Sequence, residues 1–329
     1  MSRLSVLAEF GFKKDPFRGV NIETADVSRV KKILGMAVES RAMVSIIAER
    51  GQGKSRAVDT ILKAMEVETG LKPVCTVRLL TSDKEKVLVG DIERALITDL
   101  SQEEVKRTRE IRARQLRRIL GESARQQEIV LVLEEAHRLH GQTLRSLKTL
   151  REMEWMGQSP LFTVIMLGQC DPMRKPGVDE VRLRTDTIYM KGLTQCEAKG
   201  YTTEVVGKCF EDAAIEALSR LKSARNFLDL QEMLVALMEK ALEYGHKKVT
   251  PFEIFDMFGG GLKELIKDAD ISLAELSDAT GISKATISLV ANDKMDKLTD
   301  EMASRTRDAI AEVLRNRASG GAVQKAVTA

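Results

Sequence analysis

The octet Ala48-Glu49-Arg50-Gly51-Gln52-Gly53-Lys54-Ser55 follows a short apolar run, Met43–Ile47. Its residue types suit the holding of a chain of phosphates. Gly51 and Gly53 let backbone N–H groups approach an anion with no Cβ in the way. A helix starting near Ser55 aims the positive end of its dipole at the same anion. Lys54 has the reach for the outer phosphates, and the Ser55 hydroxyl is a Mg²⁺ ligand by type. Ala48 stands where this pattern usually has its first glycine, and as a small residue at a strand exit it preserves the turn. The second group is Glu134-Glu135, at the end of the apolar run Ile129–Leu133. One carboxylate in that position holds the metal shell and the next polarises an attacking water. Glu134 occupies the place usual for Asp, and its extra methylene predicts slow hydrolysis. Glu135 is the expected base. His137 and His140 form an H-x-x-H with no third ligand in evidence, so they read as ordinary helix residues.

The elements that must position these groups are legible as alternation. Met43–Ile47, Val74–Leu80, Ile129–Leu133, Phe162–Leu167 and Thr187–Met190 read as strands. Between them, helices are expected from Ser55 to about Met65, Val87 to Leu100 and Leu144 to Met156. Short apolar strands separated by helices predict β-α units and a parallel sheet buried on both faces. Beyond Leu193 the strand signals stop and the rest reads as helices. Gly259-Gly260-Gly261 predicts a hinge, because three glycines disfavour any regular element. The expected organisation is an N-terminal segment (1–40), a nucleotide-binding core (41–192), a helical lid (193–258), a small all-helical unit (262–317) and a disordered tail (318–329).

The order of phosphate loop, paired carboxylates and helical segment resembles the AAA+ ATPases. Phe10-Gly11-Phe12-Lys13-Lys14-Asp15-Pro16-Phe17 is similar to the opening of one branch: the Mu transposition protein B relatives, TnsC-type regulators and ExeA-type ATPases. The resemblance spans roughly residues 8–258. It implies an α/β P-loop AAA+ sheet with a helical lid, and ATP and Mg²⁺ as cofactors. It also implies that Ala48 to Ser55 cradle the nucleotide and that Ser55 and Glu134 hold the metal. Gln169, just after Phe162–Leu167, takes the place of the polar residue near the γ-phosphate. Arg182 and Arg184 take the place of a finger entering a neighbouring subunit's site. Arg225, within Ser223-Ala224-Arg225-Asn226-Phe227-Leu228, takes the place of the lid arginine on the phosphates, although the usual Gly and Pro are missing. Plain surface basicity is the other reading of Arg182 and Arg184.

Ile271 to Lys294 resembles a helix-turn-helix of the phage-repressor class. Leu273 and Leu276 face inward, Gly281 suits a left-handed turn, Ile282 plugs the core and Ser283 caps the second helix. Lys284, Ala285, Thr286 and Ser288 are left for a major groove. A following helix, about Asp300–Arg315, completes the unit. From Leu262 onward there are 10 Lys and Arg against 11 Asp and Glu, so no basic footprint supports DNA over a protein-docking role. Ser101–Arg125 is basic instead, with eight Lys and Arg against four Glu. Arg107, Arg114 and Arg118 fall at helical spacing, and with Arg112 they are candidates for sequence-independent phosphate contacts. The competing reading is a solvated helix with i,i+4 pairs such as Glu103–Arg107 and Glu110–Arg114.

The whole chain has 329 residues and a net charge of only +3, which by itself argues for no polyanionic partner. No apolar run approaches the ~20 residues of a membrane span. The N-terminus lacks the pattern of a signal peptide. Four cysteines without a C-x-x-C clip are expected to be reduced thiols in a cytoplasmic protein. Together these readings predict an ATPase that assembles as a ring or filament on double-stranded DNA and directs a transposase, with hydrolysis driving disassembly. The alternatives are a replication initiator or loader of the Orc/Cdc6 type and an ATP-controlled helix-turn-helix regulator.

Overall fold

The computed structural model describes residues 1–20, 22–67, 72–81, 86–258, 262, 266, 271–292, 294, 297–299, 301–303, 305, 306, 308–310 and 313. The proposed glycine hinge and the tail lie outside the described residues. The helix expected from Asp300 to Arg315 lies partly outside them. The chain divides into two compact units, residues 23–192 and residues 1–22 with 193–329.

The first unit is built on five parallel strands: β1 (Met43–Ile47), β2 (Val74–Leu80), β3 (Glu128–Glu134), β4 (Thr163–Gly168) and β5 (Thr185–Tyr189). Their order across the sheet is β2-β3-β4-β1-β5. The apolar runs are continuous because both faces are covered. Ile129, Leu131 and Leu133 of β3 join a cluster with Leu96, Leu116, Leu120 and Leu147. Val130 and Val132 join a cluster on the other face, with Val30, Leu34, Val58 and Leu62. Those side chains come from α2 (Ala25–Ser40), α3 (Lys54–Val67), α4 (Val89–Leu100), α5 (Arg109–Gln126) and α6 (Gly141–Arg151). The parallel, doubly covered sheet expected from the sequence is observed, with element ends shifted by a few residues. The strand order has a functional result: β4 lies between β1 and β3. The turn after Gly168 therefore emerges between the phosphate loop and the paired carboxylates, at the strand ends where open α/β sheets bind ligands.

The second unit contains α1 (Arg3–Glu9) and four lid helices, which are α8 (Gln195–Val206), α9 (Asp212–Ser219), α10 (Phe227–Glu243) and α11 (Pro251–Phe258). A short helix of the first unit, α7 (Asp179–Arg182), precedes β5. Residues 1–40 are not one segment. Val6, Leu7 and Phe17 pack with the lid residues Phe210, Leu234 and Met238, whereas α2 covers the sheet. Asp26, near the start of α2, is buried and accepts from the Lys191 and Gly192 N–H groups at 2.6 and 2.9 Å. It thereby fixes the chain just after β5.

The helix-turn-helix forms as expected. It consists of α12 (Leu273–Thr280) and α13 (Lys284–Ala291). Ser272 and Glu275 make a reciprocal capping box at the first, Gly281 turns the chain at φ +67°, and Ser283 accepts from the Thr286 N–H at the second. Leu276, Ile287 and Val290 are fully buried between them.

Candidate functional site

The loop after β1 has the geometry its residue types require. Gly51 and Gly53 sit at φ +89° and +79°, where a Cβ would be strained. The Gln52 side chain folds back to accept from the Glu49 N–H at 3.1 Å, closing the loop on itself. Lys54 is 8% exposed, and its ammonium lies 3.7 Å from Glu135 Oε1. A buried cation that meets a carboxylate only at that distance retains donors for an anion in the loop.

Ser55 Oγ donates to Glu134 Oε2 at 3.0 Å. One hydroxyl and one carboxylate, brought together by α3 and β3, are the oxygen donors Mg²⁺ takes when phosphates and waters complete its shell. The residues therefore fit a Mg²⁺–nucleotide. Arg78 was not singled out from the sequence. It extends from β2 and bonds to both Glu134 Oε1 and Asp59 Oδ1. Its signal was an arginine inside a strand, in register with Val132 of β3.

Glu135 adopts a left-handed backbone, φ +51° and ψ +38°, at the head of the short turn Ala136–Arg138. Such a conformation in a non-glycine residue stores strain and is held by its surroundings. Gln169 Nε2 donates to Glu135 Oε2 at 3.2 Å, so the turn after β4 reaches the expected base. His137 Nδ1 accepts from the Gln169 N–H at 3.3 Å and lies 3.6 Å from Glu135 Oε2. Burial pushes the His137 pKa down, against the pull of Glu135. His137 thus bridges the turn after β3 and the turn after β4. His140 caps α6 by accepting from the Gln142 N–H. Among the described residues no group of His, Cys, Asp and Glu is arranged to hold a metal on its own. The four cysteines are unpaired.

The remaining candidates are spread over other surfaces. Arg182, at the end of α7, pairs with Asp179 at 2.8 Å. Arg184 donates to the Glu180 carbonyl at 3.0 Å and approaches Glu152 at 3.5 Å. Both are exposed, next to Leu183, which is 84% exposed. Arg225 ends the turn Lys222–Arg225 of the lid unit, with an exposed side chain, and its carbonyl accepts from the Leu193 N–H at 2.7 Å. On α13, Lys284 and Ala285 are exposed, while Thr286 and Ser288 are half-buried. The Thr286 hydroxyl is shared with Ser283 at 2.8 Å.

The basic stretch needs correction. Arg112 is buried, its guanidinium donating to Glu93 at 2.8 Å and to the Arg107 carbonyl at 3.2 Å. It locks α5 to α4 and is withdrawn from any DNA. Arg107 precedes the helix, which begins at Arg109, so it shares no helical face with Arg114 and Arg118. The Glu103–Arg107 pair gives way to an ion pair of Glu103 with Arg118, which also bonds Glu122 at 3.0 Å. Arg114 pairs with Glu110 at 2.6 Å, as expected. Arg114 and Arg118 are thus each already matched by a carboxylate.

Comparison with known proteins bears on both parts of the chain. Residues 38–172 match the sequence model of an AAA domain, and residues 261–314 match that of a Cro/C1-type HTH DNA-binding domain. No curated protein sequence matches the chain. Its fold is similar to that of Cdc6p from Pyrobaculum aerophilum, with TM-score 0.54 and 14% identity over 92% of this chain and 84% of that one. It is also similar to the ORC2 protein of Aeropyrum pernix in its ADPNP and ADP complexes, with TM-score 0.54 and 11% identity over 94% and 98%. Drosophila ORC bound to DNA gives TM-score 0.52 and 14% identity over 99% and 84%.

Proposed function

We propose that this ATPase, an AAA domain followed by a helix-turn-helix domain, is a nucleotide-switched protein that assembles on duplex DNA. The observation that carries the reading is the meeting of Ser55 with Glu134, and of Lys54 and Gln169 with Glu135, in a chain ending in a DNA-binding fold. Mg²⁺, held by Ser55 and Glu134, would neutralise charge on the phosphates. The loop N–H groups and Lys54 orient the nucleotide. Glu135, positioned by Gln169, accepts the proton of the attacking water. Arg182 or Arg184 reaches a neighbouring copy's nucleotide, so that ATP closes a contact between copies. Because Glu134 replaces the usual Asp, hydrolysis is slow. ATP therefore acts as a timer on the assembly.

Two readings of the biological task follow. The N-terminal Gly11 to Phe17 pattern supports a regulator that presents target DNA to a transposase. The likeness over nearly the whole chain to Cdc6p and ORC2, with helix-turn-helix after lid after core, supports an initiator or loader that recruits a helicase. A footprint on a library of duplexes separates them. Protection of arbitrary sequence in ATP supports the first, and protection of one defined sequence the second. Binding to no duplex in any nucleotide state would contradict both.

A further inference from the structure

Glu134 belongs to a closed ring of side chains. Ser55 and Asp59 stand four residues apart on α3, so they share one side of that helix. Ser55 Oγ donates to Glu134 Oε2 at 3.0 Å. One turn further along α3, Asp59 Oδ1 accepts from Arg78 Nη2, and Arg78 Nη1 donates to Glu134 Oε1. The ring Ser55–Glu134–Arg78–Asp59 thus joins the helix of the phosphate loop to β2 and β3. Strand register explains the reach. Arg78 pairs with Val132, and Glu134 is the next residue of β3 on the same face. On that face Val130 and Val132 pack with Val58 and Leu62 of α3, the helix that carries Asp59.

Glutamate has one more side-chain torsion than the aspartate usual at this position. Its carboxylate is freer to turn, and that freedom costs entropy when a ligand fixes it. The ring removes the freedom in advance. Arg78 takes Oε1, so Oε2 is the oxygen that stays beside Ser55, the other expected metal donor. We propose that Arg78 is a positioning residue: anchored by Asp59, it turns Glu134 so that a glutamate serves in holding the Mg²⁺ of a bound nucleotide. The proposal rests on the metal role given to Glu134 above. The charge of Arg78 acts in the opposite sense, since a cation beside the site repels Mg²⁺. Two carboxylates share that charge and the side chain is 35% exposed, so the repulsion is screened and orientation outweighs it. The sign of the Mg²⁺ effect therefore separates a positioning arginine from a mere counter-charge.

The test uses the full chain and a fluorescent, non-hydrolysable ATP analogue, titrated in EDTA and at rising Mg²⁺. Arg78→Met keeps the length and loses every donor. Arg78→Lys keeps the charge without the planar fork that spans two carboxylates, and Asp59→Asn loosens the anchor. Partners that orient metal ligands typically matter about 10- to 100-fold in metal affinity. We expect Arg78→Met to need about 10- to 100-fold more Mg²⁺ for half of the gain in nucleotide affinity, with binding in EDTA at the wild-type level. Arg78→Lys and Asp59→Asn should fall between it and the wild type. In a Glu134→Ala background, Arg78→Met should add nothing, because its effect passes through Glu134. Where Arg78→Met does not fold, Asp59→Asn decides by the same measure. An unchanged or lowered Mg²⁺ requirement would overturn the proposal and leave Arg78 a counter-charge. Equal losses with and without Mg²⁺ in all three variants would also overturn it, making the ring a brace of the fold. A wild type whose nucleotide affinity ignores Mg²⁺ would instead overturn the metal role of Ser55 and Glu134, and the proposal with it.

Discussion

Lys54, Ser55, Glu134 and Glu135 could be named from the sequence because phosphate and metal chemistry leaves few alternatives in residue type and spacing. What surrounds them could not. Arg78 on Glu134, and His137 between Glu135 and Gln169, are contacts across 56 and 32 residues of chain that no local pattern records. If Glu135 is the base, Glu135→Gln should slow hydrolysis by about 10²- to 10⁴-fold while leaving ATP binding near wild type. Single-turnover hydrolysis alongside nucleotide titration reads both. A variant that hydrolyses ATP normally would move the base elsewhere. His137 gives a pH signature. The fold favours its neutral form, because burial lowers its pKa below the ordinary 6.5. The unfolded chain then binds the extra proton first, so the native arrangement is intact above about pH 6.5 and weakens as pH falls through and below that value. Protonation also turns Nδ1 from an acceptor of the Gln169 N–H into a donor. We expect the wild type to lose kcat as acid is added, with KM for ATP little changed. His137→Asn should flatten that part of the profile.

At the scale of elements, the strands were readable because burial on both faces writes an unbroken apolar run such as Ile129–Leu133. Helix α5, the second of the two between β2 and β3, was less legible for the complementary reason. A charged residue is taken as exposed unless its partner is known, and the partner of Arg112 is Glu93 on a different helix. Helical spacing was also assumed for Arg107, one residue ahead of the cap at Thr108. The correction makes a prediction. Arg112→Ala leaves the Glu93 carboxylate buried and unpaired, which costs about 3–5 kcal/mol of stability. Chemical denaturation should show that loss, and DNA affinity per folded molecule should stay constant. Gly121, also on α5, is there for Trp155: an added Cβ would lie 2.0 Å from its Cγ. Gly121→Ala should therefore destabilise by about 1–3 kcal/mol through overpacking, although alanine is the better helix former.

Over the whole molecule, net charge was a poor guide. A value of +3 conceals a basic stretch over Ser101–Arg125 and a helix-turn-helix unit with slightly more acids than bases. The order of phosphate loop, lid and helix-turn-helix was visible in the chain. The packing of residues 1–22 with residues from the lid was not, since Val6, Leu7 and Phe17 carry no periodic signal across so long a separation. Among the described residues no helix is long and apolar enough to cross a membrane. On the proposed function the molecule is one switch, in which nucleotide governs assembly and assembly governs DNA. Lys54→Ala removes the buried cation of the phosphate loop and should abolish nucleotide-dependent DNA binding. The most direct measurement is to image and titrate the wild-type chain on a random-sequence duplex with ATP, with ADP and with no nucleotide. Rings or filaments on DNA in ATP, absent in the other two states and absent with Lys54→Ala, are the predicted result. Binding that ignores the nucleotide would contradict the switch.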